Sequence, residues 1–160
     1  MPAECYFTLN RRLISVLTCK GFGNVSAFSG KPAHVNNPAD TAVAESGPLP
    51  QGLYYIVDRQ SGGHLGWLYD LVKDAWSDVD HSTWLALYRN DGVIDDWTFI
   101  NGVKRGNFRL HPTGRWGESE GCITVTDQSQ FDRLRSFLLS HPTRKMPGTT
   151  LQYYGTVLVQ

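Results

Sequence analysis

The chain has 160 residues, enough for one domain with a substantial core. Fifteen basic residues balance fifteen acidic ones, with 41% hydrophobic and 12% aromatic content. That neutrality gives no electrostatic reason to expect nucleic acid or an anionic membrane as partner. No apolar run approaches the roughly 20 residues that span a bilayer.

In chain order, Cys5 to Leu9 reads as a short strand. Asn10-Arg11 turns it into a second run, Leu13 to Thr18, and Asn24 to Ser29 reads as a third. The first 30 residues thus predict a β-meander. Residues 30–50 carry Pro32, Pro38, Pro48 and Pro50 and read as a long loop. Loops of that length are often functional or mobile. Leu53 to Val57 is a strong strand. Beyond the Ser61-Gly62-Gly63 break, Leu65, Leu68, Tyr69, Val72 and Trp76 follow helical spacing, which predicts a helix over 64–75, weakened by Gly66. Trp84 to Tyr88 and Asp96 to Ile100 read as strands around an Asn90-Asp91-Gly92 turn. Gly102 and Gly106 mark a loop before Phe108 to His111. Ile123 to Val125 is a further apolar run. Asp127-x-x-Gln130 predicts a capping box, and Phe131, Leu134, Phe137 and Leu138 an apolar helical stripe ended by His141-Pro142. Lys145 to Thr149 reads as a turn and Leu151 to Val159 as the last strand. These elements predict an α+β fold, mainly β, with one or two helices.

The chemistry concentrates between Arg109 and Thr124. Phe108 and Leu110 flank a segment that delivers His111, and Ser119, Gly121 and Cys122 stand just before a strand. An imidazole can take the proton of a thiol and leave a nucleophilic thiolate. Gly121 permits close backbone approach and frees the Cys122 amide to donate to a developing oxyanion. The bland alternatives are a buried hydrophobe for Cys122, a backbone-bonded histidine for His111 and a turn residue for Ser119. Arg109 is either a solvated strand residue or a clamp for a substrate carboxylate. Asp95-Asp96 is a paired carboxylate, but neighbours on a strand face opposite ways, so a turn is the better reading.

The cysteines are Cys5, Cys19 and Cys122, an odd count that leaves at least one thiol free in a monomer. A Cys5–Cys19 bridge fits the count, and two reduced strand cysteines is the preferred reading. No zinc-type spacing occurs, and no metal or cofactor is expected.

His111 followed by Ser119-x-Gly121-Cys122 resembles the signature of L,D-transpeptidase catalytic domains. The closer resemblance is to a compact effector family related to them, delivered by type VI secretion into the periplasm of rival bacteria. Phe108-Arg109-Leu110-His111-Pro112, Ser119-Glu120-Gly121-Cys122-Ile123-Thr124, Pro50-Gln51-Gly52-Leu53-Tyr54 and Tyr154-Gly155-Thr156 carry it, over roughly residues 48–160. It departs from the transpeptidase pattern at Pro112, where glycine is usual, and at Thr124, where arginine is common.

The resemblance implies a single catalytic domain over 1–160, with a β-sandwich core over 48–160. It implies cleavage of the diaminopimelate–D-Ala bond of peptidoglycan stem peptides, and exchange of that D-Ala for other D-amino acids. Cys122, His111, Ser119 and Gly121 would be catalytic, with Arg109, Arg115, Trp116 and Thr124 as substrate-binding candidates. The N-terminus lacks a basic region followed by an apolar core, so no secretory signal is expected. A toxin made in the cytoplasm and injected elsewhere fits that, with an immunity protein and a secretion component as partners. The competing readings are a cell-wall or carbohydrate-binding module built on the five tryptophans, and a cysteine amidase acting elsewhere on the stem.

Overall fold

The computed structural model describes residues 1–58, 83–92, 97–113 and 121–160. The helix expected over 64–75 lies outside them. Twelve strands are described: β1 (Ala3–Phe7), β2 (Ser15–Cys19), β3 (Gly23–Phe28), β4 (Gly52–Asp58), β5 (Leu85–Arg89), β6 (Trp97–Ile100), β7 (Val103–Gly106), β8 (Arg109–Pro112), β9 (Ile123–Val125), β10 (Arg144–Lys145), β11 (Gln152–Tyr153) and β12 (Gly155–Val159). The one α-helix among the described residues, α1, is Gln128–Leu139.

Eight strands close into a barrel in the order β1-β12-β4-β5-β8-β9-β3-β2, with β2 returning to β1. This corrects the expected sandwich. Alternating strands serve either architecture; what decides is long-range pairing. β1 lies parallel to β12, with Ala3 opposite Gly155, and β3 lies antiparallel to β9, with Phe28 opposite Thr124. With both pairings made, no barrel strand is an edge, and no second sheet is needed to cover one. Among the described residues, the only other parallel pair is β8–β9.

The strands alternate inward and outward. Phe7, Leu17, Val25, Tyr54, Ile56, Leu87, Leu110, Ile123 and Val157 belong to one buried cluster. Phe131, Leu134 and Leu138 of α1 join that cluster, so the helix packs its apolar stripe onto the barrel core. Each such side chain contributes about 1.5–3 kcal/mol by burial. β4 and β5 are buried on their second face too, where Tyr55, Val57, Ala86 and Tyr88 meet Met146.

The start of α1 is capped by Asp127, whose carboxylate accepts from the Gln130 N–H at 2.9 Å. The expected capping box is half made, because Gln130 Oε1 is buried with no hydrogen-bond partner. The last expected strand is split at Tyr154 into β11 and β12. The expected Asp96–Ile100 strand pairs with β7, not with β5. Its turn is Asn101-Gly102, with φ of +50° and +79°. That is a type I′ hairpin signal placed where the sequence suggested only a loop.

Cys5 and Cys19 form a disulfide, against the reduced pair expected. They face each other across β1–β2. The Lys20 N–H donates to the Glu4 carbonyl at 2.9 Å, so the next pair along is the hydrogen-bonded one. The cysteines therefore occupy a non-hydrogen-bonded pair, where side chains come closest. Cysteine count alone carries no register, which is why the sequence did not settle this.

The 30–50 loop is pinned by buried polar side chains. Asn36 donates to the Arg12 carbonyl and accepts from the Ser29 N–H, and the Ser29 hydroxyl accepts from the Leu49 N–H at 2.7 Å.

Candidate active site

The parallel register of β8 and β9 sets Leu110 opposite Ile123 and His111 opposite Thr124. Leu110 and Ile123 face the core. Alternation then turns His111 and Thr124 to the other face, and Cys122 stands immediately before β9. Histidine and cysteine, eleven positions apart in sequence, thus belong to the neighbouring β8 strand and to the approach to β9.

His111 is 5% exposed and held from three sides. Its Nδ1 lies 2.7 Å from the Pro112 carbonyl oxygen. A carbonyl only accepts, so Nδ1 carries the proton and the lone pair of the neutral ring sits on Nε2. The Thr124 hydroxyl reaches Nε2 at 3.4 Å. Trp84 stacks on the imidazole, ring centroids 4.1 Å apart and planes 17° from parallel. Sequence reading placed Trp84 only as the start of a strand; no local motif marks a residue whose role is to stack on a ring from another strand.

Cys122 takes no part in a disulfide and is 8% exposed. Its thiol donates to the Asn107 carbonyl at 3.7 Å. Gly121 has φ +97°, which side chains rarely adopt. A Cβ there would also lie 2.6 Å from Arg105 Nη2 and 3.1 Å from Phe108 Cε1, so glycine is required on both counts.

Arg109 is no solvated strand residue. It is 1% exposed, and Nη1 donates to the Phe108 carbonyl at 2.6 Å. Thr124 is fully buried. Ser119, Arg115 and Trp116 lie outside the described residues. Sequence reading also missed Arg105, which is 3% exposed and packed against Gly121. Its strand, β7, is the partner in the overlooked Asn101-Gly102 hairpin; recognising that turn would have put Arg105 on a strand next to the central motif.

The family comparison matches the Tlde1 domain over residues 23–149. The match begins earlier than the expected 48 and stops before the Tyr154-Gly155-Thr156 segment. No curated protein matches, and no solved structure matches. With most of its length matched, the chain belongs to the Tlde1 domain family, the type VI effector family related to L,D-transpeptidases.

Proposed function

We propose that this protein is a cysteine L,D-carboxypeptidase and L,D-transpeptidase that acts on peptidoglycan stem peptides through a thioester on Cys122. Membership in the Tlde1 domain family implies a type VI effector with L,D-transpeptidase or carboxypeptidase activity, a peptidoglycan substrate and delivery to the periplasm of a target cell. The observation that supports the mechanism is the Nδ1 contact of His111 with the Pro112 carbonyl. It leaves the Nε2 lone pair to act as the base for Cys122, which stands immediately before the neighbouring strand β9.

His111 Nε2 takes the thiol proton, and the thiolate attacks the diaminopimelate carbonyl. The Cys122 amide, turned by the positive φ of Gly121, donates to the oxyanion. The C–N bond to D-Ala breaks, and the leaving amine takes the proton back from Nε2. Water or the amine of a D-amino acid then attacks the thioester, giving a tripeptide or an exchanged tetrapeptide and restoring the thiol. Trp84 keeps the imidazole plane fixed through both proton transfers.

Ser119, Arg115 and Trp116 belong to the same proposal, as a hydrogen-bonding partner, a carboxylate-binding cation and a cover over the thioester. Arg109 and Thr124 support the site from within the sheet. The whole chain acts as one catalytic domain, and an immunity protein and a secretion component are its expected partners. No described helix is long and apolar enough to cross a membrane.

The test is mass spectrometry of muropeptides from tetrapeptide-containing sacculi, with and without added D-Met. Tripeptide and D-Met tetrapeptide from the wild type, and neither from Cys122→Ala, are expected. Cleavage at another stem bond would turn the reading to an amidase. Binding without any product would turn it to a wall-binding module.

A further inference from the structure

Arg105 is a buried cation in a protein whose family match assigns it nothing. Its guanidinium donates from Nη1 to the Thr41 carbonyl and to the Pro48 carbonyl at 3.2 Å, and from Nη2 to the Gly47 carbonyl at 2.9 Å. All three acceptors are neutral, so they satisfy its protons without cancelling its charge. The fork is closed in on both sides. A Cβ at Gly47 would sit 3.1 Å from Nη1 and one at Gly121 2.6 Å from Nη2. Two glycines, one in the 30–50 loop and one beside the nucleophile, thus give room to one guanidinium.

We propose that Arg105 is a positioning residue that straps the 41–48 loop to the nucleophile's turn and, through its fixed positive charge, holds the Cys122 thiol toward the thiolate. The inference rests on the reading of Cys122 as nucleophile.

A charge surrounded by neutral carbonyls in a poorly solvated place acts farther than a surface charge. Burial lowers the pKa of Arg105, while attraction to Tyr54 and Cys122, where either carries negative charge, acts the other way. The same attraction read from the sulfur favours the thiolate. Among the described residues, other titratable or charged groups on the surrounding strands include His111 and Arg109 on β8 and Tyr54 on β4. Tyr54 is itself pushed up by burial and stays neutral near pH 7, so it does not offset the Arg105 charge. His111 supplies the base, and Arg105 a charge that does not titrate with it.

The experiment measures iodoacetamide alkylation of Cys122 in the intact protein from pH 5 to 9, read by mass spectrometry, for wild type, Arg105→Gln and Arg105→Lys. Arg105→Gln is expected to slow alkylation at pH 7 about tenfold and to move the midpoint up by about one pH unit. Arg105→Lys keeps the charge without the fork, and is expected to hold the wild-type midpoint while the 41–48 loop loses hydrogen-exchange protection. A folded Arg105→Gln with the wild-type midpoint, or an Arg105→Lys midpoint as high as that of Gln, overturns the proposal. Should Arg105→Gln not fold, the Lys midpoint decides alone: unchanged supports, raised overturns. Peptidoglycan turnover plays no part in this readout. Failure of the Cys122 function would show instead as muropeptide turnover surviving Cys122→Ala.

Discussion

The barrel has two unlike arcs. β3, β4, β5, β8 and β9 lie within the Tlde1 match and carry the candidate site, while β2, β1 and β12 lie outside it and fill the gap between β3 and β4. Each arc holds buried cysteine. In the closing arc, Cys5 and Cys19 face each other on antiparallel strands and are spent on a cross-link. In the site arc, Cys122 stands at the head of a parallel pair, with the imidazole of His111 on the neighbouring strand in place of a second sulfur. The thiols are chemically alike; the register of the neighbouring strand decides whether one becomes a brace or stays available as the proposed nucleophile.

Separating the two roles should produce the largest effect. Cys122→Ala is expected to lower muropeptide turnover by about a thousandfold or more. Its thermal midpoint should barely move, since a small side chain next to a turn is removed. An active Cys122→Ala would end the distinction between the arcs.

The mirror experiment is Cys5→Ser with Cys19→Ser. The bridge closes a loop of sequence separation 14. Losing it is expected to remove roughly 3 kcal/mol, about 10 °C in the melting midpoint. Activity per folded molecule should persist. Calorimetry and a turnover assay on the same preparation check both halves, and lost activity at full foldedness would mean that the closing arc shapes the site.

These two experiments also show which parts of the molecule were readable from sequence. The Ile123–Val125 strand was legible, and Cys122 and His111 stood out as candidates, because the relevant residues sit within one short stretch. Architecture was not: closure depends on Ala3 meeting Gly155 and on Phe28 meeting Thr124, contacts that no local pattern encodes. The disulfide was hidden for the same reason, since its geometry is a property of register. Trp84, just before β5, and Arg105, on β7, reach the candidate site from elsewhere in the chain and were missed, although Asn101-Gly102 was a usable signal for Arg105.

A third prediction sharpens the site arc alone. His111→Ala is expected to slow Cys122 alkylation near neutral pH by roughly tenfold, because less thiolate is present. The bridged Cys5 and Cys19 should stay unmodified in both proteins. Equal rates would remove His111 as activator of the thiol.

The smallest expected effect concerns α1, which leans its apolar stripe on the barrel. Hydrogen bonds from Ser129, then Gln130, hold the Asp127 carboxyl below the usual aspartate range. A depressed carboxylate stabilises the fold above its unfolded pKa, about 3.9, and loses that contribution as pH falls through the folded value. Asp127 is exposed and screened by solvent, so the change is slight. Asp127→Asn keeps an oxygen acceptor and is expected to flatten the wild-type decline in melting midpoint below about pH 4. An identical decline in both proteins would assign the acid sensitivity elsewhere.

The parallel seam between β1 and β12 has a kinetic consequence. It joins segments at nearly the greatest sequence separation the barrel contains, so its loop-closure entropy must be met before any reward from contact. The seam should therefore form late and slowly. Until it does, β1 and β12 expose raw strand edges that can pair with another chain. The early Cys5–Cys19 cross-link, made between near neighbours in sequence, would present β1 already held straight for β12 to zip against. Refolding under oxidising conditions should then outpace refolding of the reduced chain, with aggregation as the competing fate.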